Sequence, residues 1–224
     1  MSIPLIVCSV LSFIPAIVLH EMGHAFAAFK LGDPTAESRG RLSFNPVRHI
    51  DPFGTLILPG LLIAMGMPVF GYAKPVPYNP AYFKDPRRDD LIVGLAGPAA
   101  NLAQALLAGG VAALIYLYAP LGQLLNDQLF SYFFTLFLPL YALINLNLMF
   151  FNLLPIPPLD GSSIFAVLIP ERLLPRYYQI QGYAFPILIG VIVLGPRVLG
   201  FDPFGLYLDA TAHNLWGLLF PYLR

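Results

Sequence analysis

His20, Glu21 and His24 stand in the order His-Glu-Met-Gly-His, within the stretch VLHEMGHAFAAFK at residues 18–30. On a helix, positions i and i+4 share one face, so the two imidazoles can hold a single metal ion. Glu21 is turned about 100° from His20 at 3.6 residues per turn. It therefore misses the ligand shell but can reach a water on that metal. Two imidazoles and a carboxylate with one open position suit zinc, and the glutamate then acts as general base. The setting strengthens this reading. An ionised side chain inside a membrane helix costs about 2.5–3.5 kcal/mol on insertion scales, and three sit together here in an otherwise apolar run. A bound cation compensates them.

A third ligand must come from elsewhere in the chain. Outside the motif the candidates are His49, Asp51, Asp160, Asp202, Asp209 and His213. His49 and Asp51 lie in a charged loop and read as solvated, His49 remaining a minor ligand candidate. Asp202, Asp209 and His213 lie near the last apolar stretch, where a structural or interfacial role fits. Asp160 differs, because it ends the run LNLMFFNLLPIPPLDG and is the lone charge between Asp127 and Glu171. Pro155, Pro157 and Pro158 break the preceding helix, and Gly161 lets the chain turn. Such a break can aim a carboxylate into a bundle. On spacing alone, an interfacial aspartate at a helix end stays open beside that reading.

The elements that must position these residues are membrane helices. Of 224 residues, 58% are hydrophobic and 11% charged, with a mean hydropathy of +0.72. Soluble domains run near 45–50% apolar and about 25% charged. Twelve basic residues balance twelve acidic ones, which argues against a nucleic-acid partner. The single cysteine, Cys8, excludes an intrachain disulfide framework and reads as a small apolar side chain. A spanning helix needs roughly 20 apolar residues, which residues 3–30, 91–119, 131–154 and 183–200 supply, with 204–222 a poorer candidate. The first of these reads as a retained helix, having neither a basic leader nor a cleavage site. Pro and Gly interrupt residues 53–72, which read as a re-entrant segment or a short β-hairpin. The expected fold is an all-α polytopic membrane protein with about four to six transmembrane helices. Lys and Arg cluster at 30–51 and 73–90, which places those loops, and the histidine motif beside them, on the cytoplasmic side of a cell membrane.

The three motifs together carry a resemblance. LHEMGHAF on the first membrane helix, LAGPAAN on the next and FNLLPIPPLDG ending a third look like the site-2 protease family of intramembrane zinc metalloproteases. The likeness covers roughly residues 15–165, and GYAKPVPYNP at 71–80 also resembles small prokaryotic members. It implies that His20, His24 and Asp160 bind one zinc ion and that Glu21 activates water. It further implies that Asn152 polarises the scissile carbonyl or holds the oxyanion, and that Asn101 contacts substrate or water. Read without the family, Asn101 is an interhelix hydrogen-bonding residue, and Gly97 and Ala100 are close-packing positions.

The chain thus resembles the minimal form of the family, with no PDZ or regulatory domain. It reads as one membrane-embedded domain over 1–224, with a catalytic core at about 3–165 and C-terminal helices at 166–224. The implied activity is hydrolysis of peptide bonds in or near transmembrane segments of membrane-protein substrates. The alternative is a non-proteolytic, metal-dependent membrane-binding protein, against which the intact Glu21 argues. A metal transporter is weaker still, since helix 91–119 offers Asn101 and Gln104 but no carboxylate or imidazole. Trp216, Tyr207 and Tyr222 read as interfacial anchors. Arg87, Arg88, Asp89 and Asp90 read as a solvated loop. Residues 53–72 offer either a strand edge for substrate or a plug. Substrate identity and oligomeric state have no signature here.

Overall fold

The computed structural model describes residues 2–57, 60–61 and 73–223. The chain is mostly helical, and no strand occurs among the described residues. Among the described residues, three helices are long and apolar enough to cross a membrane: α1 (Ile3–Lys30), α2 (Pro86–Tyr118) and α3 (Gln128–Asn152). Shorter or less apolar helices follow: α4 (Ser162–Leu168), α5 (Leu174–Leu199), α6 (Pro203–Leu208) and α7 (Asn214–Leu219). The expected spans at 183–200 and 204–222 correspond to α5 and to the α6–α7 pair, which a π turn at Asp209–His213 joins. Neither is among the three. Of the expected hairpin at 53–72, residues 52–57 form a single wide turn, and most of the remainder lies outside the described residues.

Two of the three long helices start at an aspartate cap. Asp85 accepts a hydrogen bond from the Arg88 N–H and Pro86 takes the first helical position of α2. Asp127 does the same for α3 through the Phe130 N–H at 2.7 Å. Asp202 caps α6 through Phe204. The expected solvated loop at 87–90 is instead the first turn of α2. Arg87 donates through Nη2 to the carbonyls of Ala166, Val167 and Ile169, satisfying backbone acceptors at the end of α4 that would otherwise lack partners. Asp89 is buried with its carboxylate on the Asp85 N–H, and Asp90 accepts from the Tyr78 hydroxyl.

α2 is the central helix, with α1 and α3 packed along it. In lipid, apolar contact brings no solvent-driven gain, so association depends on close van der Waals fit and interhelical hydrogen bonds. Towards α3, α2 presents Ala105, Ala108 and Ala112, against which Phe134, Leu138, Ala142, Leu146 and Met149 pack. The C-terminal helices complete this core with Ala212 and Phe220. The three expected interfacial anchors also make contacts within the bundle. Trp216 donates to the Pro139 carbonyl, Tyr207 to the Phe150 carbonyl, and Tyr222 stacks between Tyr116 and Phe134. Cys8 is buried, as a small apolar side chain can be.

Towards α1 the approach is closer. A Cβ on Gly23 would lie 2.6 Å from the Ala96 carbonyl oxygen and 3.3 Å from the Ala100 methyl. The obstacle is backbone, so the helices would have to separate. Gly23→Ala is expected to destabilise the folded chain by about 1–3 kcal/mol, the usual penalty of overpacking. A lowered thermal midpoint in detergent, compared with wild type, is the measurement; an unchanged midpoint would show that the helices are not held this closely.

Candidate active site

His20 and His24 both lie on the buried face of α1, one turn apart, with Nε2 atoms 3.1 Å from each other. Asp160 arrives from the turn between α3 and α4. Its Oδ2 lies 3.1 Å from His20 Nε2 and 3.3 Å from His24 Nε2. Among the described residues, these three form the one group of metal-ligating side chains converging on a point.

The break after α3 delivers Asp160. Helix α3 ends at Asn152, whose carbonyl accepts the Gly161 N–H at 2.6 Å, drawing the chain back on itself. A Cβ at Gly161 would stand 2.4 Å from the Leu153 carbonyl oxygen, so only glycine fits. The returning turn is seated against α2 at a second glycine. A Cβ on Gly94 would lie 2.7 Å from Ser163 Oγ and 3.1 Å from the Asp160 carbonyl oxygen. Gly97 lies under the histidines, its virtual Cβ 2.3 Å from His24 Nε2 and 2.7 Å from His20 Cε1.

The hydrogen bonds settle what these atoms are. His24 Nδ1 lies 2.7 Å from the Val93 carbonyl oxygen, which can only accept, so Nδ1 carries the proton. His20 Nδ1 lies 2.6 Å from Asn101 Oδ1. Asn101 donates through Nδ2 to the Ala16 carbonyl and to Asn145 Oδ1, which fixes its oxygen towards His20. In its neutral form each imidazole, with its proton on Nδ1, turns an Nε2 lone pair towards the carboxylate. Asp160 Oδ2 is buried and receives no hydrogen bond. In that form three lone-pair-bearing atoms face one another, within 3.3 Å.

That arrangement fits zinc. Bonds of about 2.0–2.1 Å at tetrahedral angles put neighbouring ligand atoms about 3.3–3.4 Å apart, close to the triangle observed. The outward nitrogen of each histidine is held by an oxygen, the usual second layer of a metal site. Glu21 faces elsewhere, as its 100° offset requires. Its Oε2 accepts the Val76 N–H at 3.1 Å.

The segment bearing Val76 is held by groups that the sequence reading did not single out. Pro75 keeps Lys74, and Pro77 keeps Val76, in extended conformations. The Lys74 N–H donates to the His49 carbonyl at 2.9 Å. Arg41, nearly buried, donates to the Arg48 carbonyl at 2.5 Å and to the Lys74 carbonyl. Burial pulls the Arg41 guanidinium below its ordinary range, and the Glu21 carboxylate opposes that pull. Asp33, fully buried, accepts from the Thr35 and Asn79 N–H groups and ties the end of this segment to the end of α1.

The other candidate ligands are elsewhere. His49 is buried rather than solvated, and its Nε2 pairs with the Ser43 carbonyl. Asp51 accepts from the Phe53 and Gly54 N–H groups. Asp209 and His213 form an exposed pair at 3.0 Å, and Asp202 is a helix cap. Asn152 donates from Nδ2 to the Leu148 carbonyl of its own helix. Asn101 is 0% exposed and occupied by three partners, an interhelix position directly behind His20.

Residues 8–194 match the sequence pattern of peptidase family M50, the site-2 proteases. The chain belongs to that family. It is 38% identical over 192 residues to "Putative zinc metalloprotease YwhC" of Bacillus subtilis, covering 85% of this chain and 83% of that protein. It is also similar to the proteins named "Putative zinc metalloprotease Rip2" of Mycolicibacterium smegmatis, 35% identical over 146 residues, and Mycobacterium tuberculosis, 39% over 148. Those matches cover 65% and 66% of this chain and about half of each relative, 51% and 52%. No solved structure matches the chain. Membership makes it a zinc metalloprotease with membrane helices.

Gly97→Ala is expected to push a methyl group into the imidazole pair and lower zinc affinity at least about tenfold, while helix content stays the same. Metal analysis after dialysis against a graded chelator reads this directly, and wild-type retention would refute the close approach.

Proposed function

We propose that this protease cuts peptide bonds within or beside transmembrane segments of membrane-protein substrates. The observation that carries the reading is the location of the histidine pair. It sits on a helix long enough to span a membrane, and the carboxylate that completes the group lies in the turn that follows another such helix. A protease acting only on soluble peptides has no need to bury its ligands there, at the insertion cost of charged groups.

In this reading His20, His24 and Asp160 hold the zinc ion, one per chain. Zinc so held lowers the pKa of a water towards about 7 and polarises a carbonyl. Glu21 takes the proton from the attacking water and returns it to the leaving amine. The Val76 N–H fixes one oxygen of that carboxylate, which limits its rotation and keeps the base aimed. Asn152 turns its amide from Leu148 to the developing oxyanion when substrate is present. Asn101 acts through His20 rather than on substrate. The Lys and Arg content of residues 30–51 and 73–90 supports a cytoplasmic placement for this end of α1. Residues 1–224 act as one membrane-embedded unit, in which the C-terminal helices buttress α2 and α3.

Two variants test the assignment, with a model transmembrane substrate in detergent. Glu21→Gln keeps its zinc, and cleavage falls by about 10²–10⁴. Loss of zinc from that variant, or retained cleavage, would end the assignment of Glu21 as base. Asn152→Ala lowers kcat by about 10²–10³ with KM nearly constant, the pattern of an oxyanion donor. A change confined to KM would make Asn152 a substrate-binding residue instead.

A further inference from the structure

Asn145 belongs to none of the motifs above, yet it is 0% exposed in the middle of α3. Its Nδ2 donates to the Tyr141 carbonyl at 2.9 Å, which turns its Oδ1 towards α2. There Oδ1 accepts from Asn101 Nδ2 at 2.8 Å, and Asn101 in turn presents Oδ1 to His20 Nδ1 at 2.6 Å. We infer that Asn145 is a positioning residue for His20, acting through Asn101.

The chain of bonds has a determined direction. A backbone carbonyl can only accept, so Tyr141 fixes the sense of the Asn145 amide. Asn145 then offers Asn101 an oxygen, and the Ala16 carbonyl offers a second at 3.2 Å. Both require Asn101 to present its NH₂ group to them and its oxygen to His20. That oxygen requires a proton on His20 Nδ1, which in the neutral imidazole leaves the Nε2 lone pair directed at Asp160. A reversed Asn101 amide would set oxygen against oxygen at both Ala16 and Asn145. The imidazole would then favour the tautomer with Nε2 protonated, which cannot bind a metal through that atom. The bond between the two asparagines therefore selects the ligating tautomer.

It also sets a register. α1 carries the histidines, α2 carries Asn101, and α3 carries Asn145 and leads into the turn that delivers Asp160. A rotation or slide of α3 that misplaced Asp160 would break the Asn145–Asn101 bond as well. The pair thus links the helix that brings the carboxylate to the helix that brings the imidazoles.

This inference rests on His20 being a ligand, so the test includes His20→Ala. Full-length wild type, Asn101→Ala, Asn145→Ala, Asn145→Asp, the Asn101→Ala/Asn145→Ala double variant and His20→Ala are compared in detergent by chelator competition for zinc. The cobalt-loaded forms are compared by their visible absorption. Asn145→Ala is expected to weaken zinc binding about 10–100-fold and to shift the cobalt bands, as loss of second-layer support does. The double variant should bind no more weakly than Asn101→Ala alone, because the first residue acts through the second. Asn145→Asp, neutral at this depth, can donate to Tyr141 and accept from Asn101, so it should stay within about threefold of wild type. This variant also covers the case in which Asn145→Ala folds poorly. Wild-type affinity and spectrum in Asn145→Ala would overturn the inference. So would a loss that adds fully to that of Asn101→Ala, or an Asn145→Asp variant as weak as Asn145→Ala. His20→Ala binding zinc like wild type would overturn the ligand reading itself, and this inference with it.

Discussion

Two imidazole nitrogens and one carboxylate oxygen, each within 3.3 Å of the other two, repel in their metal-ligating forms unless a cation lies among them. In water such a cluster would open and hydrate. Between membrane helices that escape is costly, because the medium solvates separated charges poorly. The cation and the fold are therefore mutually dependent. Binding zinc contributes to holding the three elements together, and their packing keeps the ligands close enough to bind it.

Close approach has its own requirements, and they fall on glycine. Gly23 and Gly97 allow α1 to lie against α2 with the histidines between them, and Gly94 seats the turn that carries Asp160. Gly161 is needed for another reason, as the return of the chain after α3 leaves no space for a side chain beside the Leu153 carbonyl. Alanines line α2 where it meets α3, and large aromatic side chains from the C-terminal helices fill the remaining space.

What could be read from the sequence is what local spacing determines. His20 and His24 share a helical face by arithmetic, and Glu21 leaves it by the same arithmetic. Asp160 was conspicuous as a lone charge after a run of prolines, although only the fold distinguishes a ligand from an interfacial aspartate. Asn101 had two readings, and its position behind His20 matches the interhelix one. Asn145 was hidden among the apolar residues of 138–152, with Asn147 beside it and no pattern to separate them. Arg87 and His49 looked like solvated loop residues, and Arg41 like one more member of a basic cluster, because composition cannot reveal which backbone carbonyls a fold will leave without donors. The aromatic residues of the C-terminal stretch carry the same signature whether they meet an interface or a bundle. Their partners, Pro139, Phe150 and Phe134, lie more than fifty residues away in the chain.

Glu21, the proposed general base, shows how far the local and the tertiary contributions depend on each other. The helix places Glu21 next to a ligand but off the ligand face, and this is necessary for a residue that must exchange protons without binding the metal. It is not sufficient, since a carboxylate on a membrane helix has several rotamers and no water-rich surroundings to favour one. The segment at 73–79 supplies what is missing. With proline at positions 75 and 77, Val76 carries the single N–H in that triplet, and it is this N–H that meets Glu21. The segment is in turn held by His49 and Arg41, whose own side chains and carbonyls are buried in the loop after α1. The aim of the base therefore depends on residues that the motif does not contain. A chain with the same five-residue motif and a different loop would keep its zinc and lose the orientation of its glutamate.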